Sequence, residues 1–221
     1  LEKANNTRCY IYMYDPAWMA AETLVLPLPG RAERTRRALA AAALIRLRAD
    51  GSFTTEEVAA DAGVSLSTVY NRFPEGRHGL MAAAFAAVLD RVVEVTDLLG
   101  VERLLEDGLN QVATDLFEGL AAVFEEESLV MRAALAQLSE SQSLRHAYRD
   151  HEAQTLVIIT RFIRLGQAAG RIATGDPDEM AVAVLVLGQG LNNPTLLGDT
   201  KRPQVMARLL GLLTLMLSPE Q

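Results

Sequence analysis

Apolar residues recur at intervals of three and four positions through most of the chain, which is the spacing of helices that bury one face. This spacing predicts a first helix over 32–49, two short helices within 53–73, and a fourth helix that begins near residue 77. Beyond residue 100 it predicts helices over 101–124, 127–138, 141–169, 177–197 and 202–217. The chain is therefore predicted to be all-α.

The stretch 53–73, FTTEEVAADAGVSLSTVYNRF, predicts two short helices joined by a tight turn. Thr54 is a favourable N-cap, and Glu57 three residues later completes a capping box. Gly63 ends the first helix, because glycine adopts the left-handed conformation without a Cβ penalty, and Ser65 caps the second. Two helices that meet in this way form a helix-turn-helix, and the second helix of such a pair can enter the DNA major groove.

The two faces of the second short helix differ in chemistry. Val69 and Phe73 lie four residues apart and form its inward stripe. Leu66 either belongs to this stripe or lies near the surface. The opposite side carries hydroxyl, amide, phenol and guanidinium groups, which bond phosphates and base edges. The candidate DNA-binding residues of this motif are Thr54, Ser65, Leu66, Ser67, Thr68, Tyr70, Asn71 and Arg72. The alternative is an ordinary helical hairpin with a polar outer face.

Residues 59–80, AADAGVSLSTVYNRFPEGRHGL, resemble the DNA-binding signature of the TetR family of bacterial transcriptional regulators. The matching features are the Ala-Gly-Val-Ser turn, Thr68 with Tyr70 two residues later, and Phe-Pro before a new helix. The close resemblance covers residues 33–90, and beyond them it is architectural. It implies a three-helix DNA-binding domain followed by a helical domain for ligand binding and dimerisation.

The segment Pro74–Gly79 departs from the family pattern. In the family, the fourth helix begins with a lysine, and its N-terminus faces a DNA phosphate, a role that suits free backbone N–H groups. This chain has no lysine there, and the segment is one residue longer than usual. Arg77 is the candidate substitute for the lysine, and His78 is the second choice.

The predicted organisation has an N-terminal extension over 1–30, a helix-turn-helix domain over 31–78 and a regulatory and dimerisation domain over 79–221. The extension has no clean apolar core or cleavage site, so it does not resemble a signal peptide. We interpret it as poorly ordered. The alternatives are an arm that packs on the body, or upstream sequence before a start at Met13 or Met19.

Composition and charge agree with this division. Half of the residues are hydrophobic and only 5% are aromatic, which favours helices packed on helices. The net charge of −7 argues against a protein covered by nucleic acid, but residues 31–91 are net +2 and residues 92–221 are net −8. This asymmetry indicates a nucleic-acid-facing end and an acidic body. Arg34, Arg36 and Arg37 contact phosphates in one interpretation and form a solvated basic face in the other.

The last two predicted helices are apolar on most sides, which indicates burial on several sides. A two-fold dimer would cover both helices, and the family resemblance implies a four-helix interface. Burial within one subunit is the alternative. The candidate interface residues are Val184, Leu187, Leu191, Leu209, Leu213 and Met216.

The resemblance also implies a cavity for a small molecule inside the helical body. Apolar composition predicts a hydrophobic ligand. The candidate lining residues are Leu105, Leu109, Leu116, Met131, Leu135, Phe162 and Leu165, although residues of this type more often belong to the ordinary core than to a cavity wall.

No motif in the sequence indicates an enzyme, a cofactor or a metal site. Cys9 is the only cysteine, and His146 and His151 lie five residues apart rather than three or four. The chain has no Gly-rich phosphate loop or nucleophile elbow, and Glu125–Glu127 reads as a solvated face or a helix start. The single cysteine and the short apolar runs suit a cytoplasmic protein without a membrane span.

The sequence therefore predicts a ligand-responsive transcriptional repressor. It is expected to bind a palindromic operator in double-stranded DNA as a homodimer, and to be released by a small hydrophobic effector. Activators use the same fold, so the sequence does not distinguish a repressor from an activator. The alternative is a helical adaptor whose helix-turn-helix no longer binds DNA specifically.

Overall fold

The computed structural model describes residues 30–194, 196 and 202–219, and these residues form ten α-helices and no strand. The helices are α1 (Arg31–Asp50), α2 (Thr55–Asp61), α3 (Leu66–Arg72), α4 (Arg77–Thr96), α5 (Val101–Glu106), α6 (Leu109–Glu126), α7 (Ser128–Ala136), α8 (Gln142–Ala168), α9 (Pro177–Gly190) and α10 (Arg202–Leu217). The all-α prediction is confirmed. The interpretation of the extension over 1–29 lies outside the described residues.

The first three helices pack around one small apolar core, as the sequence predicts. Leu39, Ala43 and Leu47 form the inward stripe of α1 and are fully enclosed. Val58 of α2 and Val69 of α3 are fully enclosed against them. These aliphatic contacts fix the angle between the two short helices, which are too short to be stable alone.

Helix α4 connects this unit to the rest of the molecule. It packs against α1 and also against α6, α7 and α8 of the body. Its buried side chains include Leu80 near its start and Phe85 and Val88 in its middle. Because α4 belongs to both cores, the predicted boundary after residue 78 falls within its first turn, and it stays a prediction.

Two helix predictions in the body need correction. The helix expected over 101–124 is broken between α5 and α6, because Gly108 adopts a φ of 83° that helical residues do not have. The helix expected over 177–197 ends at Gly190, and Leu191 and Asn192 continue only in turns. Pro194 follows shortly after, and proline is common just beyond helix ends.

The acidic run Glu125–Glu127 is not simply a solvated face. Glu127 ends α6 and precedes α7, and its side chain is fully buried. Its carboxylate accepts hydrogen bonds from Arg48 of α1, with Nε–Oε2 at 2.9 Å and Nη2–Oε1 at 2.5 Å. Arg91 of α4 donates to the same Oε1. We call this group the Glu127 cluster, and it links α1, α4 and the α6–α7 junction.

The other two members of the acidic run also form ion pairs. Glu126 accepts from Arg91 Nη2 at 2.6 Å, and this hydrogen bond raises the pKa of Arg91 and lowers the pKa of Glu126. Glu125 accepts from Arg202 Nη1 at 2.5 Å, which connects α6 to α10. The run therefore contributes four ion pairs between helices that are distant in sequence.

Two further predictions concern what the fold does not contain. None of the helices in the described ranges is both long enough and apolar enough to cross a membrane. Within the same ranges, no three His, Cys, Asp or Glu side chains gather in a way that could hold a metal ion.

Candidate nucleic-acid interface and ligand cavity

The turn between α2 and α3 has the local geometry that its residues predict. Thr54 and Glu57 form a capping box, with Thr54 Oγ1 accepting from Glu57 N and Glu57 Oε2 accepting from Thr54 N. Gly63 has a φ of 65°, its N–H donates to Ala60 O, and the N–H of Val64 donates to Ala59 O. These two bonds define a Schellman motif, which satisfies the last carbonyls of α2.

Helix α2 is also fixed from the outside by α1. Arg46 donates from Nε and Nη2 to the two carboxylate oxygens of Asp61, at 2.7 and 2.9 Å. This bidentate contact lowers the pKa of Asp61, and the Thr54 backbone N–H is the main cause of the lowered pKa of Glu57. Both carboxylates therefore stay charged at neutral pH, and α2 keeps one orientation relative to α1.

The inner face of α3 is held by apolar and cationic contacts. Val69 is fully enclosed and Phe73 is 2% exposed. The guanidinium of Arg36 lies 4.5 Å from the centre of the Phe73 ring, and its Nη1 donates to Arg72 O at 3.0 Å. Arg36 thus secures the C-terminal end of α3, whereas Arg37 pairs with Glu33 at the surface.

The outer face of α3 is exposed at almost every predicted position. Tyr70 is 47% exposed and Leu66 is 38% exposed, so Leu66 does not join the inward stripe. Exposed with them are Thr54, Ser65, Ser67 and Asn71, and half-buried are Thr68, Arg72 and His78. Ser65 Oγ caps α3 by accepting from Thr68 N, and it lies 2.9 Å from the hydroxyls of both Ser67 and Thr68.

Arg77 does not occupy the position that the family's lysine suggested. Its Nε donates to Phe53 O at 3.0 Å, and its Nη1 donates to Gln137 Oε1 at 2.9 Å. Its guanidinium also lies 5.5 Å from the Phe53 ring centre. The side chain therefore joins the helix-turn-helix unit to the end of α7, and these contacts disfavour the predicted phosphate contact of Arg77.

Gly76 begins α4 with a backbone that only glycine adopts easily, with φ 54° and ψ −121°. A Cβ on this residue would lie 2.9 Å from Tyr70 Cε1. The aromatic ring of Tyr70 thus packs directly on the Gly76 backbone.

We expect Gly76→Ala to lower the free energy of unfolding by about 2–4 kcal/mol, because it adds backbone strain and a contact with Tyr70. Urea unfolding followed by helical circular dichroism measures the change. Gly63→Ala is the matched control, since Gly63 also has a positive φ but open space at its Cβ. A Gly76→Ala variant that loses no more stability than Gly63→Ala would contradict the Tyr70 contact.

A cavity of about 150 Å³ lies in the helical body between α4, α6, α7, α8 and α9. Three predicted pocket residues line it, namely Leu116, Met131 and Leu135. Leu109 and Phe162 instead line a neighbouring space of about 10 Å³, which is ordinary core packing. Leu105 and Leu165 do not line this cavity, and they are 50% and 41% exposed, so the structure does not place them in the predicted pocket.

The polar residues of this cavity were missed from sequence. Tyr148, His151 and Glu152 of α8 and Gln189 of α9 line its wall. The two helices are separated by a loop, and only packing shows that these side chains meet. The one available signal was the spacing of Tyr148, Glu152 and Thr155, which places them on one face of α8.

The predicted interface residues divide into two groups. Val184, Leu191 and Leu213 are 4%, 2% and 1% exposed within the single protomer, so their prediction as interface residues is wrong. Leu187, Leu209 and Met216 are partly buried. The apolar side chains that α9 and α10 leave exposed are Val182, Val186, Leu212 and Leu215, at 49%, 59%, 55% and 76%. We call these four residues the α9–α10 face.

Solved structures share this fold over most of the chain. No protein-family model and no curated protein matches the sequence. A protein from Mesorhizobium loti assigned to the TetR family of transcriptional regulators matches with a TM-score of 0.66 and 22% identity, over 86% of this chain and all of its own. A protein from Rhodococcus sp. assigned to the same family matches with a TM-score of 0.65 and 25% identity, over 84% of this chain and all of its own.

A TetR transcription regulator from Haloarcula marismortui matches with a TM-score of 0.66 and 18% identity, over 84% of this chain and all of its own. All three proteins are described as transcriptional regulators. The matches extend across the helix-turn-helix and the helical body. The resemblance of residues 59–80 is therefore confirmed at the level of the fold, and the chain has the architecture of TetR-family transcriptional regulators.

Proposed function

We propose that the protein is a transcriptional repressor that binds a palindromic operator as a homodimer and leaves it when a small ligand binds. The observation that carries this proposal is the outer face of α3. Its polar side chains are exposed, while Val69, Phe73 and Arg36 hold the helix from the other side. A short helix that is rigidly fixed and polar on its outside suits insertion into the major groove.

The exposed residues divide by chemistry into base and phosphate contacts. Ser67, Thr68 and Asn71 would approach base edges, and Leu66 would contact a thymine methyl group. Tyr70 and Arg72 would hold phosphates on either side of the groove. His78 stays the candidate for the phosphate beside α4, with the backbone N–H groups of that helix's first turn.

A homodimer would use the α9–α10 face. Exposed apolar side chains on two adjacent helices are costly in water and can be covered by the same face of a second copy. One recognition helix reads only a few base pairs. Two helices about 34–36 Å apart would read successive major grooves of a palindrome.

Ligand control requires that the cavity and the DNA-binding helices share a movable element. Leu89, Val92 and Thr96 of α4 line the cavity. The first turn of α4 packs against Phe73, so that a Cβ added to Gly79 would lie 3.3 Å from Phe73 Cδ1. A ligand that favours a different position of α4 would shift the spacing of the recognition helices and lower operator affinity.

Selection of bound duplexes from a random DNA pool, at near-physiological salt, tests the DNA-binding proposal. We expect a palindromic sequence to be enriched, and affinity for it to fall steeply as salt rises. Folded dimeric protein that enriches no sequence would contradict the proposal. Such a result would favour the adaptor interpretation.

We expect Asn71→Ala to weaken binding to the selected operator by about 5- to 100-fold for each of the two half-sites, the loss typical of one good base contact. Affinity for unrelated DNA should stay unchanged, because phosphate contacts are retained. Fluorescence anisotropy with both duplexes measures the two affinities. Gln154→Ala, at an exposed position of α8, is the control and should bind both duplexes like the original protein.

A further inference from the structure

The wall of the 150 Å³ cavity is divided into an apolar part and a polar part. Helices α4, α6 and α7 contribute almost only aliphatic and aromatic side chains. Helices α8 and α9 contribute the polar groups, namely Tyr148, His151, Glu152 and Gln189, with Asn192 just beyond α9. A ligand in this space would therefore have its apolar part on one side and a polar group on the other.

The two ionisable residues at consecutive positions of α8 have different partners. His151 has Nδ1 2.7 Å from Ala147 O and Nε2 2.9 Å from Asp90 Oδ1, so both ring nitrogens have oxygen partners. Glu152 accepts at Oε1 from Gln189 Nε2 at 2.9 Å, and this donor is a neutral amide. In the described part of the chain, no Lys or Arg lies within ion-pair distance of Glu152.

No residue that lines the cavity is a lysine or an arginine. His151 already has an acidic partner, since its Nε2 lies 2.9 Å from Asp90 Oδ1. The carboxylate of Glu152 is therefore the negative charge of the cavity wall that no described cation balances. A carboxylate that loses water in an apolar cavity needs an opposite charge or several hydrogen-bond donors.

Tyr148 presents an aromatic ring beside this carboxylate. Burial raises the pKa of the Tyr148 phenol, and the negative charge of Glu152 raises it further, so the ring stays neutral. The ring stacks in parallel on Phe85 with 6.3 Å between centres, which limits its movement. A neutral, fixed aromatic face next to a carboxylate attracts a cation by both its quadrupole and the adjacent charge.

We propose that the cavity selects a small cationic ligand, a primary amine or a substituted ammonium, whose nitrogen lies between Glu152 and Tyr148. Its apolar part would be about the size of one ring, since a cavity of about this volume accommodates benzene. The inference rests on the proposed function, because it assigns the effector to this cavity. It replaces the purely hydrophobic ligand that composition predicts.

The alternatives are disfavoured by the same charge. An anion would face Glu152 across an apolar space, where repulsion is weakly screened. A neutral apolar ligand would displace water from the carboxylate without replacing its hydrogen bonds, at a cost of desolvation. Only a cation gains from both the carboxylate and the aromatic ring.

Isothermal titration calorimetry on the full chain, without DNA, tests the inference with three probes of one shape. Benzylamine is cationic at neutral pH, benzyl alcohol is neutral and benzoate is anionic. We expect benzylamine to bind at least about tenfold more tightly than benzyl alcohol, the effect of one hydrogen-bonded ionic contact, and benzoate to bind most weakly. Equal or weaker binding of benzylamine, or binding of none of the probes, overturns the inference.

Variants of Glu152 test whether this residue causes the preference for benzylamine over benzyl alcohol. Glu152→Gln should reduce the preference for benzylamine over benzyl alcohol to less than about threefold. Glu118→Gln, which removes the same charge from an exposed position of α6, should keep it. A preference that survives Glu152→Gln, or that Glu118→Gln also removes, contradicts the assignment. The comparison of probes in the original protein stands even if a variant fails to fold.

The regulatory proposal is tested separately with the selected operator. If benzylamine binds with the expected preference but leaves operator affinity unchanged, the ligand class is supported and the effector role of the cavity fails. If a neutral or anionic compound occupies the cavity and releases the operator, the effector role holds and the cationic preference is overturned.

Discussion

Replacing Arg48 and Arg91 together with methionine is expected to lower the free energy of unfolding by about 3–5 kcal/mol, because it leaves the Glu127 carboxylate buried without a cation. Glu127 is fully buried, and these two residues supply its ionic partners. Methionine keeps much of the side-chain volume, so the loss is mainly electrostatic. Urea unfolding at one fixed protein concentration measures it.

Adding Glu127→Gln to the double variant should recover about half of the loss or more, since a neutral amide is less costly to bury than a carboxylate. Arg37→Met removes a guanidinium from the exposed pair with Glu33 and should change stability by less than about 0.5 kcal/mol. If the amide recovers nothing, the destabilisation does not come from the buried charge.

A glutamate at both Val186 and Leu215 is expected to convert the proposed dimer to a monomer and to weaken operator binding by about 100-fold or more. Each substitution places a carboxylate on the α9–α10 face, where dimerisation would bury it without a partner. A monomer then holds one half-site and loses the gain from two linked contacts. Analytical ultracentrifugation and anisotropy with the operator give the two readouts.

Val157→Glu is the matched control for this experiment. Val157 is 69% exposed on α8, comparable to Val186, but it lies outside the α9–α10 face. The variant should stay dimeric and bind the operator normally. A double variant that sediments as a dimer at the original concentration would show that the subunits associate through another surface.

Local signals in the sequence were sufficient for the helix-turn-helix. The capping box of Thr54 and Glu57, the positive φ of Gly63 and the cap at Ser65 each depend on residues within four positions of one another. Such contacts form in the same way wherever the segment is placed. The sequence therefore predicted both the short helices and the exposed face of α3.

The sequence could not predict contacts that depend on distant partners. Glu127 looked like part of an exposed acidic run, because its partners Arg48 and Arg91 are 79 and 36 positions away. The direction of Arg77 is likewise decided by Gln137, which is 60 positions away. In each case the residue type was compatible with solvent, and only tertiary packing brought the partner within reach.

The faces that α9 and α10 bury also could not be predicted from the sequence. Apolar residues occupy most sides of α9 and α10, so periodicity does not single out one buried face. Val184 and Leu213 pack inside the protomer, whereas Val186 and Leu215 face outward. The choice depends on how α9 and α10 pack on α8 and α6, and the sequence alone does not specify that packing.

The separation of buried and exposed residues in α3 affects how the sequence of this protein can change during evolution. Val69 and Phe73 maintain the fold, while Ser67 and Asn71 are exposed and make few contacts within the body. Substitutions at the second set therefore cost little stability and can accumulate or be selected freely. Duplicated copies of such a chain could acquire new target sequences through a few exposed positions, while their folding and assembly remain unchanged.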